Sequence, residues 1–214
     1  MSSPARISTP PPTAPLRPRE REILAAIRPV FAAKGFDGAS MQDLARAAGM
    51  SVGNFYRYFP SRAAIVEAII QIDLDEVETQ FALIVGAPEP MAALRTALHA
   101  RIRQELCSSA DATLWAEITA AALRKPEIGE VLAKMEGEIA AYLAQAFALA
   151  TGLTPDVAQA RFGAHARLIV LLVKASATHT QLPAPEGAAL TVLIQRQIDG
   201  LLDEIAAQRP KECL

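Results

Sequence analysis

Polar side chains that can hydrogen-bond to nucleotide bases recur at short intervals between residues 40 and 62. Asn54 and Arg57 carry an amide and a guanidinium, and each group can make paired hydrogen bonds to a base edge. Serine and tyrosine hydroxyls nearby, together with free amides at helix starts, suit phosphate oxygens. Gly53 has no side chain, so the backbone can come close to a groove. The residue types therefore favour nucleic-acid recognition.

The same segment carries the signals of two short helices joined by a turn. Ser40 and Asp43 stand at the spacing of a capping box, in which each side chain accepts a backbone N–H at the helix start. Gly49 suits the left-handed conformation that ends a helix, and Ser51 can cap the next one. We therefore predict a helix-turn-helix. Apolar residues fall on its inward faces: Met41, Leu44, Ala45, Ala48, Val52, Phe55 and Phe59.

An ordered set of residues runs through this segment and the turn before it: Lys34-Gly35-Phe36, Ser40, Leu44-Ala45, Ala48-Gly49, Ser51, Gly53, Tyr56-Arg57-Tyr58-Phe59 and Arg62. With this set, the segment resembles the DNA-binding domain of TetR-type bacterial transcriptional regulators. Arg62 departs from the lysine usual in that family, and the change keeps the positive charge but makes it a planar fork. Pro29 lies within the predicted first helix and predicts a kink there, because it removes a backbone donor.

The resemblance implies roles for individual residues at a DNA surface. An alternative for the tyrosines is that Tyr56 or Tyr58 packs over the domain core, since a buried tyrosine with a tethered hydroxyl is common. The residues that the resemblance places near base edges are Gln42, Val52, Gly53, Asn54 and Arg57, and those it places near phosphates are Ser40, Ser51, Tyr56, Tyr58 and Arg62.

The charge distribution supports a polyanionic partner for one end of the chain. The net charge of the whole chain is only −2. Residues 1–62 nevertheless carry nine Lys or Arg against four Asp or Glu, whereas residues 63–214 carry twelve against nineteen. The positive part coincides with the predicted helix-turn-helix, and the acidic remainder discourages DNA from wrapping the whole protein.

Composition and periodicity predict an all-α protein. Aromatic residues make up 5% of the chain, β-branched alternation is scarce, and helix-forming residues dominate long stretches. We expect a Pro-rich disordered leader at 1–17, a three-helix helix-turn-helix domain at 18–65, and a helical effector-binding and dimerisation domain at 66–214. The expected helices are 19–34, the two short helices, 61–85, 90–107, 110–124, 127–151, 156–181 and 187–208.

The last two predicted helices carry apolar residues around more of their circumference than contact on one side would bury. A monomer could bury them as central core helices, whereas in TetR-type proteins such a pair resembles a four-helix interface with a second subunit. We prefer the homodimer, and two recognition helices would then lie about 34–36 Å apart, or somewhat more, on a palindromic double-stranded operator. The residues assigned to the interface are Leu168, Leu172, Leu190, Ile194, Ile198 and Leu201.

The resemblance also implies a small-molecule effector, so that the protein would be a ligand-responsive repressor. Many alanines between residues 90 and 181 leave room for a cavity, although tightly spaced helices are an equally physical outcome. A second domain that is packed, ligand-free and used only for dimerisation therefore remains an alternative. The candidate pocket residues are Arg103, Trp115, Glu117, Tyr142, Phe147 and His165.

An enzyme is the rival class, and the sequence offers little for it. The three histidines show no metal-type spacing with one another or with cysteine, and no glycine-rich phosphate turn accompanies them. We expect no catalytic residue, metal or cofactor. A helical interaction module with a vestigial helix-turn-helix would leave Asn54 and Arg57 unexplained. No apolar run is long enough to span a bilayer and no secretory signal is recognisable, so we expect a cytoplasmic protein.

Overall fold

A computed structural model describes residues 16–107, 109–177 and 182–208, and over these ranges the chain forms nine α-helices and no strand. The expectation of an all-α fold is confirmed. The predicted leader lies largely outside the described residues, as do the last four residues of the helix expected at 156–181. The helices are α1 (Pro18–Gly38), α2 (Met41–Ala47), α3 (Val52–Tyr58), α4 (Arg62–Val85), α5 (Pro90–Cys107), α6 (Ser109–Ala122), α7 (Pro126–Thr151), α8 (Pro155–Ala177) and α9 (Ala184–Ala206).

Serine side chains start three consecutive helices. The Ser40 hydroxyl accepts from the Asp43 N–H at the start of α2, and the Asp43 carboxylate accepts in return from the Ser40 N–H, each at 3.1 Å. The predicted capping box is therefore present. The Ser51 hydroxyl accepts from the Asn54 N–H at 3.3 Å, and the Ser61 hydroxyl caps α4 in the same way. These caps satisfy backbone donors that a helix leaves unpaired at its start.

The first helix breaks near its end, and the break is at a glycine. Gly35 has φ 71° and ψ 165°, and it is the residue with non-helical dihedrals inside α1. Pro29 lies inside this helix, where we predicted a kink, but the interruption of helical dihedrals occurs six positions later at Gly35. Glycine adopts a positive φ without the steric cost that a Cβ imposes, so Gly35 concentrates the bend.

Two hydrophobic clusters hold the chain together. The first contains the core of α1–α3, including Phe31 and Phe55, and it also contains Ile65 of α4, Leu114 and Ile118 of α6, and three residues from the first half of α7. The three N-terminal helices are therefore packed against the remainder of the chain through α4, α6 and α7. The boundary predicted at residue 65 falls inside α4 and inside this shared core.

The second cluster contains the last turns of α4 together with α5, the second half of α7, α8 and α9. Phe147 and Phe162 lie at its centre with ring centroids 6.2 Å apart, and both are fully buried. Ile198 and Leu202 of α9 are also fully buried within it. Along the part of the chain that the structure describes, no helix is both long enough and apolar enough to cross a membrane.

Candidate DNA-binding surface

Helices α2 and α3 present a polar face to solvent and an apolar face to the first cluster. Gln42, Asn54 and Arg57 are exposed, whereas Leu44 and Phe55 are fully buried. Gly53 is exposed, and a Cβ added there would meet nothing within 4 Å. The three side chains that suit base edges are therefore free to enter a groove, with the apolar residues behind them fixing the helix orientation.

The two serines expected near phosphates lie at the starts of α2 and α3 and are exposed. Their hydroxyls are engaged in the caps described above, and the Ser40 hydroxyl also donates to the Asp43 carboxylate at 2.7 Å. A hydroxyl so engaged contributes first to starting the helix. The helix N-termini themselves, with unpaired amides and a positive dipole end, remain suited to phosphate.

Asp43 organises cationic groups beside this face. Its carboxylate lies 2.8 Å from the Lys34 ammonium and 3.4 Å from the Arg46 guanidinium. The Lys34 ammonium, followed by the Ser40 hydroxyl, holds the pKa of Asp43 well below its usual range. Arg46 was not among the residues predicted from the sequence, although it follows Gln42 by four positions and so shares its face of α2. Its side chain is 78% exposed, which makes it a further candidate for a phosphate contact.

The two tyrosines have different surroundings. Tyr56 is 46% exposed, so its hydroxyl remains a candidate for phosphate. Tyr58 is half-buried, packs against the first cluster, and lies under the Arg17 guanidinium at 5.7 Å from the ring centroid. The alternative of packing over the core thus describes Tyr58 and not Tyr56.

Arg62 is engaged inside the protein. Its two terminal nitrogens donate to the backbone carbonyls of Phe36 and Ala39, and its guanidinium lies 5.6 Å from the centroid of the Phe36 ring. The planar fork therefore joins the start of α4 to the end of α1. A single ammonium cannot span two carbonyls in this planar way, so arginine has a use here that lysine lacks. Its expected phosphate contact would have to use the remaining N–H groups.

The six candidate pocket residues do not lie around one cavity. Glu117 accepts a hydrogen bond from the Phe36 N–H, and Trp115 packs against the first cluster. Phe147 is buried in the second cluster, and burial, with Glu78 and Glu138 adding to it, raises the pKa of Tyr142 there. His165 stacks edge-on against Phe162, and Arg103 is exposed. The six residues predicted to line one pocket are therefore divided between the two hydrophobic clusters and the surface, where Arg103 lies.

A groove lies elsewhere, between the end of α4 and α5, and has a volume of about 610 Å³. None of the six candidate residues lines it. Its wall is mainly alanine, with three larger apolar residues and three polar ones: Gln80, Leu83, Ile84, Ala87, Pro88, Glu89, Ala92, Ala93, Thr96, Ala97 and Ala100.

The predicted interface residues divide between the interior of the chain and its surface. Ile194 and Ile198 are buried by the chain's own second cluster, and Leu172, Leu190 and Leu201 pack partly against it. Leu168 is 43% exposed. Neighbouring apolar residues that we did not assign to the interface are more exposed than any of these: Leu171 at 57%, Val192 at 53% and Leu193 at 52%.

Comparisons with known proteins find similarity to HTH-type transcriptional regulators. Residues 23–69 match the family model of bacterial regulatory proteins of the tetR family. The uncharacterised HTH-type transcriptional regulator YfiR of Bacillus subtilis is 41% identical over 58 residues, which cover 27% of this chain and 28% of YfiR. The HTH-type transcriptional regulator UidR of Escherichia coli K12 is 34% identical over 65 residues, covering 30% of this chain and 33% of UidR. The matched segment thus spans a third or less of both curated relatives, and both are named as regulators.

A solved structure extends the likeness over most of the chain. GusR of Salmonella enterica is 28% identical, with a TM-score of 0.68, and the alignment covers 89% of this chain and 98% of GusR. The segment that the family model matches coincides with α1–α3 and the first third of α4, where the candidate surface lies.

Proposed function

This chain is a TetR-type regulator, and we propose that it represses transcription by binding a palindromic operator as a homodimer and releasing it when a small molecule binds. The observation that carries the proposal is the exposed polar face of α2 and α3, on which Gln42, Asn54 and Arg57 stand over a fully buried apolar backing. Such a face can enter a major groove and hydrogen-bond to base edges.

The direct test is a selection from random duplex DNA with the full-length protein at moderate salt. We expect an enriched palindrome, because two identical subunits related by a two-fold axis present the same residues to both half-sites. Affinity for the selected duplex should fall steeply as salt is raised, because phosphate contacts release counterions. A selection that enriched no sequence would reject the proposed operator. If the protein still bound DNA, that binding would rest only on attraction to the phosphate charges.

The homodimer is supported by apolar side chains left uncovered on adjacent helices. Leu168 and Leu171 lie one turn apart on α8, and Val192 and Leu193 lie on α9, which packs against the same cluster. Large apolar side chains left exposed on neighbouring helices in this way are typical of an interface. We therefore place the proposed contact on these four residues and not on Ile194 and Ile198, which the chain buries by itself.

The candidate effector site is the groove between α4 and α5, which is open to solvent and whose volume of about 610 Å³ is comparable to that of small-molecule sites. Gln80, Glu89 and Thr96 supply polar groups on a mainly apolar wall, which suits a small and largely apolar molecule. Helix α4 also carries the groove at one end and joins α3 at the other, so a ligand that shifts α4 changes the spacing of the two DNA-binding surfaces.

A ligand screen by thermal shift, followed by operator release, tests the coupling. Each tenfold loss of operator affinity requires the ligand to prefer the DNA-incompetent state by about 1.4 kcal/mol, and the operator must weaken ligand binding by the same factor. Leu83→Asp should abolish the response, because Leu83 lines the groove and is otherwise 65% exposed. Ligands that stabilise the protein without altering DNA affinity would leave only the dimerisation role for the second domain.

A further inference from the structure

The end of α1 is held by one carboxylate of α6. The Phe36 N–H donates to Glu117 Oε2 at 2.8 Å, and the two residues are 81 positions apart in the chain. Gly35, with its positive φ, orients this N–H toward α6. A Cβ on Gly35 would lie 3.1 Å from the same carboxylate oxygen and would press on Glu117, and the positive φ of 71° independently favours glycine.

Other elements hold the same segment, residues 35–39, which we call the α1 turn. Arg62 of α4 donates to the carbonyls of Phe36 and Ala39. The Asp37 carboxylate accepts from Lys125 and, at 2.8 Å, from Arg124, and these two cations lower the pKa of Asp37. The α1 turn therefore has charged or polar contacts to α4, to α6, and to the connection between α6 and α7.

The position of the α1 turn gives these contacts a consequence for DNA binding. Ser40, which caps α2, follows the turn directly, and α2 carries Gln42 and Arg46 on its exposed face. Asp37 forms its ion pairs between partly exposed side chains, and Arg62 belongs to α4, the helix that continues directly from the head formed by α1–α3. Glu117 is different, because it joins a half-buried backbone donor of the head to a helix of the second domain.

We propose that Glu117 is a positioning residue for DNA binding, which fixes the orientation of α2 and α3 relative to the second domain through its hydrogen bond to Phe36. The inference rests on the proposed DNA-binding function. In a dimer, the orientation of each head on its own second domain sets the separation of the two heads. Removal of the bond therefore loosens that separation while leaving each reading surface intact.

The first test compares Glu117→Ala with Glu117→Gln in the full-length protein. The glutamine oxygen still accepts from the Phe36 N–H, so this variant retains the bond without the charge. The probes are the palindromic duplex from the selection above and versions with one base pair inserted or removed at its centre, which rotates one half-site by roughly 35° relative to the other. We expect Glu117→Ala to bind the original duplex at least about fivefold more weakly, and to lose most of the preference for its spacing.

A general loss of stability would lower affinity for every spacing alike, so the spacing preference separates positioning from folding. Glu117→Gln should keep the preference. An unchanged spacing preference in a folded Glu117→Ala dimer would overturn the inference. If Glu117→Ala does not fold, Glu117→Asp, whose carboxylate is set back by one methylene, takes its place with the same expectations.

A second readout does not depend on DNA. Spin labels at positions 46 and 134, both on well exposed side chains, report the distance between α2 and α7 within one chain after Cys107 and Cys213 are replaced by serine. We expect a broader distance distribution in Glu117→Ala and a native one in Glu117→Gln. Equal distance distributions in the unsubstituted protein, Glu117→Ala and Glu117→Gln would overturn the inference even if no duplex is selected. A broader distribution in Glu117→Ala, when no duplex is selected, would support the positioning role and reject the operator.

Discussion

Replacing Leu171 and Leu193 together with glutamate is expected to yield a folded monomer whose operator affinity is lower by about 10²- to 10⁴-fold. The two side chains are 57% and 52% exposed, so neither supports the core of its own chain. A carboxylate at each position would be buried without a partner in the proposed interface, which opposes association. Loss of the dimer then removes the second head, whose binding is intramolecular once the first head is bound. Light scattering at micromolar concentration and operator titration measure the two effects.

Two matched variants make this experiment decisive. Leu123→Glu changes the same residue type at a site that is 86% exposed and outside α8 and α9, and should leave mass and affinity unchanged. Ile198→Glu changes a residue that is fully buried, and should unfold the chain instead of dissociating it. A dimer mass for the Leu171 and Leu193 double variant would show that the interface lies elsewhere.

Arg57→Ala and Asn54→Ala are each expected to reduce discrimination between the selected operator and its single-base variants. A paired hydrogen bond to a base edge is worth about 1–3 kcal/mol, which is roughly 5- to 150-fold at each half-site. Both side chains are exposed on α3 beside Gly53. The loss should be confined to the base position that each side chain contacts, and competition binding with singly substituted duplexes locates that position.

Tyr56→Phe is the contrasting variant on the same helix. It removes only a hydroxyl, from a ring that is 46% exposed. If the hydroxyl holds a phosphate, all duplexes should weaken alike, because phosphate contacts carry no sequence information. Equal weakening of all duplexes by Arg57→Ala and Asn54→Ala as well would assign those residues to the backbone, and the specific contacts would have to be sought at Gln42.

The helix-turn-helix could be predicted from the sequence because its determinants are local. The Ser40 and Asp43 capping box lies within four residues, and the alternation of exposed and buried positions in α3 follows from helical periodicity alone. Tyr58 shows the limit of prediction from local sequence. Its neighbours in sequence gave it the same expected role as Tyr56, whereas the contact that distinguishes it comes from Arg17, far earlier in the chain.

The pocket and the interface could not be predicted in the same way, because they depend on packing between helices that are far apart in the sequence. The hydrogen bond of Glu117 to Phe36 links residues 81 apart, and no local pattern indicates it. The apolar stripe of Ile194 and Ile198 predicts a contact face, which we assigned to the second subunit, but periodicity shows only that a face is covered. It does not show whether the cover is the same chain or a second one. Exposure in the folded chain is what directs attention to Leu171 and Leu193.

The core that the N-terminal helices share with α6 and α7 has a consequence for how the chain folds and for how it can be divided. A fragment ending at residue 65 would lack Leu114, Ile118 and Ile128, which share one buried cluster with Leu24, Phe31 and Ile65. Folding of the three-helix unit is thus coupled to folding of the helices behind it, and heat should unfold both in a single transition. Three N-terminal helices transferred from one regulator to another would bring only their own side of this core. Chimaeric regulators would therefore need α6 and the start of α7 from the same parent.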